Sequence, residues 1–367
     1  MKKLRLFFLL VLTTPVYSQV PVNSNNFNGA TIPQKPEFES LSDSVFEKKL
    51  LQEVIITSKK SVSFESEVEI YKNIRAKQKE NSKSRSASPA LQSQMNQQAE
   101  QLMQIDPSHV ETKVLFYDAG NYDAARSFAL KEALNQNPRH QEALYLSAAN
   151  AFVVGDTAGF AKEFQTLSAM EYFPSDVLCY SEDVIASIPQ GYTLITHGRL
   201  DTYGFLWHQI KGARGDLFNV SLELLQSPQY REQMVKKNLR IPTTNSIDVD
   251  YLRNFIRLNP DRKFAFSMTL PKPYIVDFQQ ELLPNGLVFL YQPDASLEES
   301  YATNLHLNSS LKFLECGQKK DENYRFLMNN YLPMLMFIEA ASEHEKTIDQ
   351  TIKSDIEQKK QKIKKGN

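Results

Sequence analysis

The chain has 367 residues, of which 41% are hydrophobic, and its formal net charge is −1. This length and apolar content support a sizeable core and favour two domains. The near-neutral charge provides no basic field for nucleic acid, and two cysteines are too few for a disulfide scaffold or a cysteine metal cluster. Cys179 and Cys316 could pair in an oxidising compartment, but their separation in sequence leaves that open.

The N-terminus has the pattern of a secretory signal peptide over residues 1–18. Positive residues precede the apolar run Leu6–Leu12, and Val16 and Ser18 suit cleavage before Gln19. A membrane anchor is the alternative, but this run is far shorter than the roughly 20 residues that span a bilayer. No later segment is long and apolar enough to do so. We therefore expect a periplasmic protein, cleaved after Ser18.

Residues 19–86 are predicted to be a disordered leader that carries short helices. The first part is rich in Asn, Ser, Pro and Gln, and residues 42–58 have the spacing of a short helix. Residues 64–80 have the composition of a charged, solvated helix. Residues 81–88 have the Ser-rich composition of a flexible linker. We expect this whole region to bury little surface.

Residues 87–175 contain an internal repeat. The octet Leu102–His109 recurs as Ala133–His140, each containing Asp-Pro or Asn-Pro, and the segment Gly120–Ala125, which has the pattern of a turn, lies between them. These segments resemble the tetratricopeptide (TPR) repeat, although the first helix is about one turn short. The resemblance implies TPR-like helical hairpins, which stack and present a groove to a protein partner. A plain helical spacer is the alternative.

An α/β domain is predicted over residues 176–345. Tyr192–Thr196 is apolar and β-branched, a helical period follows, a second strand begins at Leu217, and Ser227 precedes a proline at a helix start. This alternation predicts a small Rossmann-like parallel sheet with C-terminal helices. The later predicted elements are a helix at 248–258, a strand at 263–270, a helix at 278–283, a strand at 286–293, helices over 298–343 and a Lys-rich helical tail at 346–367.

The candidate ligand loop contains His197, Arg199 and Asp201, because ligand-facing loops of such sheets follow the carboxyl ends of strands. Histidine and aspartate there could bind a metal ion or transfer a proton, and Arg199 could hold an anion at the helix start. Alternatively, Asp201 caps the following helix and Arg199 is solvated or ion-paired. His208 is a further candidate for this site, whereas Trp207 is predicted to lie in the core.

No recognised catalytic or phosphate-binding motif accompanies this loop. The patterns G-x-S-x-G, H-E-x-x-H and C-x-x-C and the phosphate-binding loop do not occur in the chain. The sequence therefore predicts no catalytic residue, no metal site and no cofactor.

Several phrases within residues 190–350 resemble a known family. They are Thr196–Trp207, Asn219–Leu222, Lys263–Thr269 and Gly286–Pro293. Their order and spacing are similar to the periplasmic C-terminal region of the protein O-mannosyltransferase-like family, a TMEM-type domain-of-unknown-function family of Bacteroidota membrane proteins. Where that family's loop has two aspartates, this chain has Arg199 at the first and keeps only Asp201. The resemblance implies the family's fold without its membrane-spanning catalytic part or its carboxylate pair.

These patterns together predict a non-enzymatic interaction or scaffold subunit of a Bacteroidota cell-envelope assembly. Its partners are expected to be other periplasmic or outer-membrane proteins, bound through the TPR-like segment and the leader. The type IX secretion and gliding apparatus is the host by analogy, because that lineage uses periplasmic TPR proteins there. The alternative is an accessory factor or enzyme of envelope protein O-glycosylation, which the family resemblance suggests.

Overall fold

The computed structural model describes residues 63–80, 83–312, 327–345 and 350–366. The predicted signal peptide and the first part of the predicted leader lie outside these ranges. The helices before the sheet are α1 (Phe64–Glu80), α2 (Pro89–Ile105), α3 (Val110–Ala119), α4 (Ser127–Gln136), α5 (Gln141–Val154), α6 (Thr157–Ala169) and α7 (Ser175–Ala186).

The sheet and its helices come next: β1 (Tyr192–Thr196), α8 (Arg199–Ile210), β2 (Phe218–Ser221), α9 (Pro228–Lys236), α10 (Val249–Leu258), β3 (Lys263–Ser267), α11 (Lys272–Asp277), β4 (Leu282–Asn285), β5 (Val288–Tyr291), α12 (Leu297–Ser310), α13 (Leu332–Glu345) and α14 (Gln350–Gly366). The described part of the chain is therefore mostly helical with a small α/β portion. No helix within it is long and apolar enough to cross a membrane.

The sheet is mixed and has the strand order β2-β1-β3-β5-β4. Strand β1 pairs in parallel with β2 and β3, whereas β5 is antiparallel to both β3 and β4. The predicted parallel arrangement therefore holds for three strands and is wrong for the last two. Gly286, with φ of +60°, lies in the tight turn that folds β4 back onto β5.

The helix predicted at residues 278–283 is also wrong. The helix lies earlier, in α11, where Pro271 precedes the first turn and Pro273 lies within it. Leu282 and Leu283 instead pair with β5. A short apolar run fits a helix or a strand equally well by period, so pairing with a neighbouring strand decides between them.

Helix α1 packs against α2 and α3 and is not the solvated helix that its charges suggested. Tyr71 and Ile74 are each 1% exposed and form a hydrophobic cluster with Met95 of α2. Arg75 on the same helix donates to Asp118 of α3 over 2.9 Å, and the Tyr71 hydroxyl donates to the other oxygen of that carboxylate over 2.7 Å. The charge of Arg75 on α1 is thus paired inside the helical array and is not solvated.

The segment at residues 83–88, predicted to be a flexible linker, is bound to the α/β part of the molecule. The Arg85 N–H donates to the Ile247 carbonyl over 2.7 Å. The Ile247 N–H in turn donates to Ser86 Oγ, also over 2.7 Å. These two hydrogen bonds join the segment between α1 and α2 to the segment before α10.

Replacing Ser86 by alanine is expected to reduce the free energy of unfolding by about 1 kcal/mol, because the part-buried Ile247 N–H loses its acceptor. Ser309→Ala is the matched control. Its exposed hydroxyl bonds only within its own helix, so its effect should stay within about 0.5 kcal/mol. Urea denaturation measures the free energy of unfolding of both variants. Equal losses would show that the Ser86–Ile247 hydrogen bond does not stabilise the fold.

The helical and α/β parts share one hydrophobic core. A single cluster of buried side chains includes Tyr117 of α3, Phe164 of α6, Phe205 of α8, Phe266 of β3 and Ile363 of α14. Helices α3 to α7 are therefore fused to the sheet by packing, whereas α1 and α2 form a separate cluster with one face of α3. The predicted boundary near residue 175 is not a break in the shared core.

The Lys-rich tail helix, α14, also packs against the fold. Ile356 and Ile363 are 2% and 0% exposed, and Lys360 Nζ pairs with Glu339 of α13 over 2.5 Å. On α7, Cys179 is disulfide-bonded. The chain's other cysteine, Cys316, lies outside the described residues.

Candidate functional site

The candidate loop lies where the chain reverses its direction across the sheet. From β1 the chain moves to β2 on one side, and it then crosses to β3 on the other side. The carboxyl ends of β1 and β3 flank this switch point, the usual ligand position in open α/β sheets. Gly198 is the N-cap residue of α8, so His197–Asp201 lies directly after the carboxyl end of β1, at this switch point.

The side chain of Asp201 is only 6% exposed, and both of its carboxylate oxygens accept hydrogen bonds. The N–H groups of Gly198 and Thr202 donate to Oδ1 over 3.0 and 2.8 Å. The His197 N–H and the Thr269 hydroxyl donate to Oδ2 over 3.2 and 2.7 Å. The carboxylate therefore holds the start of α8, as the structural alternative predicts, and also joins it to the segment after β3.

The protonation of Asp201 follows from these contacts. Burial by itself raises the pKa of this carboxyl, but the neighbouring His197 and the Thr269 hydroxyl hold the pKa below its ordinary value. Because the folded-state pKa is depressed, the stability contributed by Asp201 is present above the unfolded-state pKa of about 3.9. That stability is lost as the pH falls through the folded-state value.

Asp201→Asn is expected to lower the free energy of unfolding by about 1.5–3 kcal/mol. The amide would direct an NH2 group at backbone or hydroxyl donors that now bond a carboxylate oxygen. Asp250→Asn, an exposed first-turn residue of α10, is the control and should change stability by less than about 0.5 kcal/mol. Chemical denaturation near neutral pH measures the free energy of unfolding of both variants. No loss of stability in Asp201→Asn would show that these donors do not need a charged acceptor.

Hydroxyl groups continue the network toward the sheet. Thr196 Oγ1 lies 2.9 Å from Thr202 Oγ1 and donates to Asn219 Oδ1 over 3.0 Å. Ser267 Oγ lies 2.7 Å from Thr269 Oγ1. All five side chains are buried. Sequence reasoning missed them because single Ser, Thr and Asn residues form no motif. Only Thr196 and Ser267 have a positional signal, since they end β1 and β3.

Two buried atoms in or beside this network, His197 Nδ1 and Asn219 Nδ2, have no hydrogen-bond partner among the described residues. The imidazole nitrogen lies 3.7 Å from Asp201 Oδ2, beyond hydrogen-bonding distance. Within the described ranges, no group of three or more His, Cys, Asp or Glu side chains is arranged to hold a metal ion.

Arg199 reaches helix α5 of the helical array. Its guanidinium donates two hydrogen bonds to the Glu142 carboxylate, over 2.8 and 2.6 Å, and lies 4.5 Å from the centre of the Tyr145 ring. Burial raises the pKa of Glu142, but the charge of Arg199 outweighs it and keeps this pKa below its usual value. Planar bidentate pairing of this kind fixes geometry, so Arg199 joins α8 to α5.

His208 and Trp207 contact other helices. His208 Nε2 lies 2.8 Å from the Leu178 carbonyl of α7, about two turns beyond Asp201 along α8. The Trp207 ring stacks on Phe164 of α6 with 4.7 Å between centroids. The structure therefore brings His197 and Asp201 together but directs Arg199 and His208 elsewhere.

No family model, curated protein or solved structure matches this chain.

Proposed function

We propose that this protein is a non-enzymatic interaction or scaffold subunit of a Bacteroidota cell-envelope assembly. The observation that carries the proposal is that the charged side chains of the candidate loop bond to other parts of the same chain. Both oxygens of Asp201 are bonded by the chain's own donors, and Arg199 forms a two-bond pair with Glu142. These are the contacts of a joint between α8, α5 and the segment after β3, and they use the carboxylate of Asp201 and the guanidinium of Arg199 within the fold.

The helical array supports a role in protein binding. The hairpins α3–α4 and α5–α6 follow the repeated octets, which fits a TPR-like array fused to a Rossmann-like β2-β1-β3 unit. Stacked hairpins commonly present one face to a protein partner. Phe128 of α4 is 50% exposed, with its ring centroid 6.0 Å from that of Phe116 on α3. Exposed aromatic side chains are frequent anchors in protein interfaces.

A periplasmic location fits the signal-peptide pattern and the disulfide at Cys179, because disulfides persist in oxidising compartments. The type IX secretion and gliding apparatus is proposed as the host by analogy with the TPR proteins of that lineage.

Affinity purification of the tagged full chain from its native envelope tests this function. We expect envelope proteins to co-purify, and we expect Phe128→Asp to reduce their recovery without changing thermal stability. Val235→Asp on α9 is the matched control, since Val235 is 56% exposed and lies outside the hairpins. Recovery of the wild-type chain alone after mild cross-linking would contradict the proposal.

One observation favours the alternative, a factor or enzyme of envelope protein O-glycosylation. His197 Nδ1 and Asn219 Nδ2 are buried polar atoms at the switch point, near the Asp201 carboxylate, and neither has a hydrogen-bond partner within the described ranges. Unsatisfied buried groups are costly, and a bound ligand could satisfy them. The glycoprotein profile of a deletion strain tests this function, and a profile identical to that of the wild type would exclude it.

A further inference from the structure

The two repeated octets end in histidines that begin the next helix. His109 Nδ1 accepts a hydrogen bond from the Glu111 N–H at the start of α3, over 3.2 Å. His140 Nδ1 accepts one from the Ala143 N–H at the start of α5, also over 3.2 Å. A ring nitrogen accepts only while it carries a lone pair, so both caps require the neutral imidazole with its proton on Nε2. Serine, threonine and asparagine caps have no such requirement.

The groups that face His140 come from two other helices. Its Nε2 lies 3.4 Å from Oε2 of Glu111 on α3, and Lys72 Nζ on α1 lies 2.9 Å from Oε1 of the same carboxylate. The hydrogen bond from His140 and, against the effect of burial, the contact with Lys72 lower the pKa of Glu111 to about 2. Glu111 is therefore an anion throughout the range in which histidine titrates. Glu142, in the first turn of α5, is already paired with Arg199.

His109 has different surroundings. The Phe64 ring of α1 lies 4.4 Å from its ring centroid. The nearby charges are Asp106, which accepts from the His109 backbone N–H, and Lys113, which is paired with Glu132 of α4 over 3.4 Å. Asp106 is near enough to attract a charged His109 ring, but among the described residues no carboxylate oxygen lies within 4.0 Å of the ring nitrogens, as Glu111 does for His140.

We propose that His109 and His140 are a pH-responsive capping pair, which holds the first turns of α3 and α5 at neutral pH and releases them on acidification. Protonation places an N–H of each ring against a backbone N–H and adds a positive charge at the positive end of the helix. His140 then exchanges its cap for a stronger ion pair with Glu111. His109 loses its cap without such a partner, so α3 is the more sensitive of the two helices.

Hydrogen exchange of the full chain at about pH 7.5 and about pH 5.5 tests this pair, with rates corrected for the intrinsic pH dependence. The comparison is between the wild type and His109→Asn/His140→Asn, because asparagine caps without titrating. In the wild type, exchange at residues 109–114 should rise about fivefold on acidification, the loss of one cap. Exchange at residues 140–145 should rise less, because the ion pair with Glu111 offsets part of the lost cap. The variant should show no such rise.

The start of α9 is the internal control, because Ser227 caps it through its hydroxyl. The corrected exchange there should not change in either protein. His109→Asn alone should abolish the response of α3 and leave that of α5. An equal response in wild type and double variant, or no response in the wild type, would overturn the proposal.

Discussion

Replacing Arg199 by methionine is expected to lower the free energy of unfolding by about 2–4 kcal/mol. The change removes the cation from a pair whose side chains are 14% and 29% exposed and leaves the Glu142 carboxylate without its partner. Breaking a buried pair from one side is costly because the remaining charge stays desolvated. The partial exposure of Glu142 keeps the expected loss below that of a fully buried pair. Urea denaturation measures the change.

Two further variants separate the joint from a general effect of removing arginine. Arg214→Met removes a more exposed pair with Asp216, with side chains 34% and 33% exposed, and should cost less than about 1 kcal/mol. Arg199→Met/Glu142→Leu removes both charges and should recover most of the stability lost in Arg199→Met. If Arg199→Met costs no more than Arg214→Met, the pair does not join α8 to α5.

Gly286→Ala is expected to lower the free energy of unfolding by about 3 kcal/mol. The residue has φ of +60°, where an L side chain is strained. A Cβ there would also overlap Ser187 Oγ and lie 2.7 Å from Ser187 Cβ and 2.9 Å from Leu307 Cδ1. Ser187 cannot yield freely, because its hydroxyl accepts from the Leu287 N–H over 2.9 Å.

Gly191→Ala is the matched control for this turn. Gly191 has φ of +82°, but a Cβ built there meets nothing within 4 Å. Only the backbone strain remains, and the expected loss is about 1 kcal/mol. Thermal or chemical denaturation compares the two, and equal losses would show that the close contact with Ser187 does not constrain the β4–β5 turn.

Local sequence signals predicted the order of elements through the first three strands. Tyr192–Thr196 is a short apolar and β-branched run, and Ser88 and Ser227 each precede a proline at a helix start. All of these are short-range signals. The failures depend on pairing and packing partners that the local pattern does not show. Leu282 becomes a strand because it pairs with Tyr291, and α1 is buried because α2 and α3 accept its apolar face.

The sequence predicted the position of the candidate loop after β1, but it did not predict which residues the loop contacts. Placement at the end of β1 followed from alternating strand and helix patterns. The partner of Arg199 could not be predicted, because Glu142 lies 57 residues away on another helix. The donor from Thr269 comes from 68 residues further along the chain. Contacts at such separations depend on packing, which a single sequence does not display.

The most direct test of a structural role for this loop uses the variant that removes its charged pair. Arg199→Met/Glu142→Leu is placed in a deletion strain at wild-type abundance, and the recovery of envelope partners with the tagged protein is measured against the wild type. Wild-type recovery is the expected result, because the apolar pair still joins α8 to α5. Loss of the partners from a variant that keeps its stability would contradict the structural role, since the charges themselves would then be needed for function.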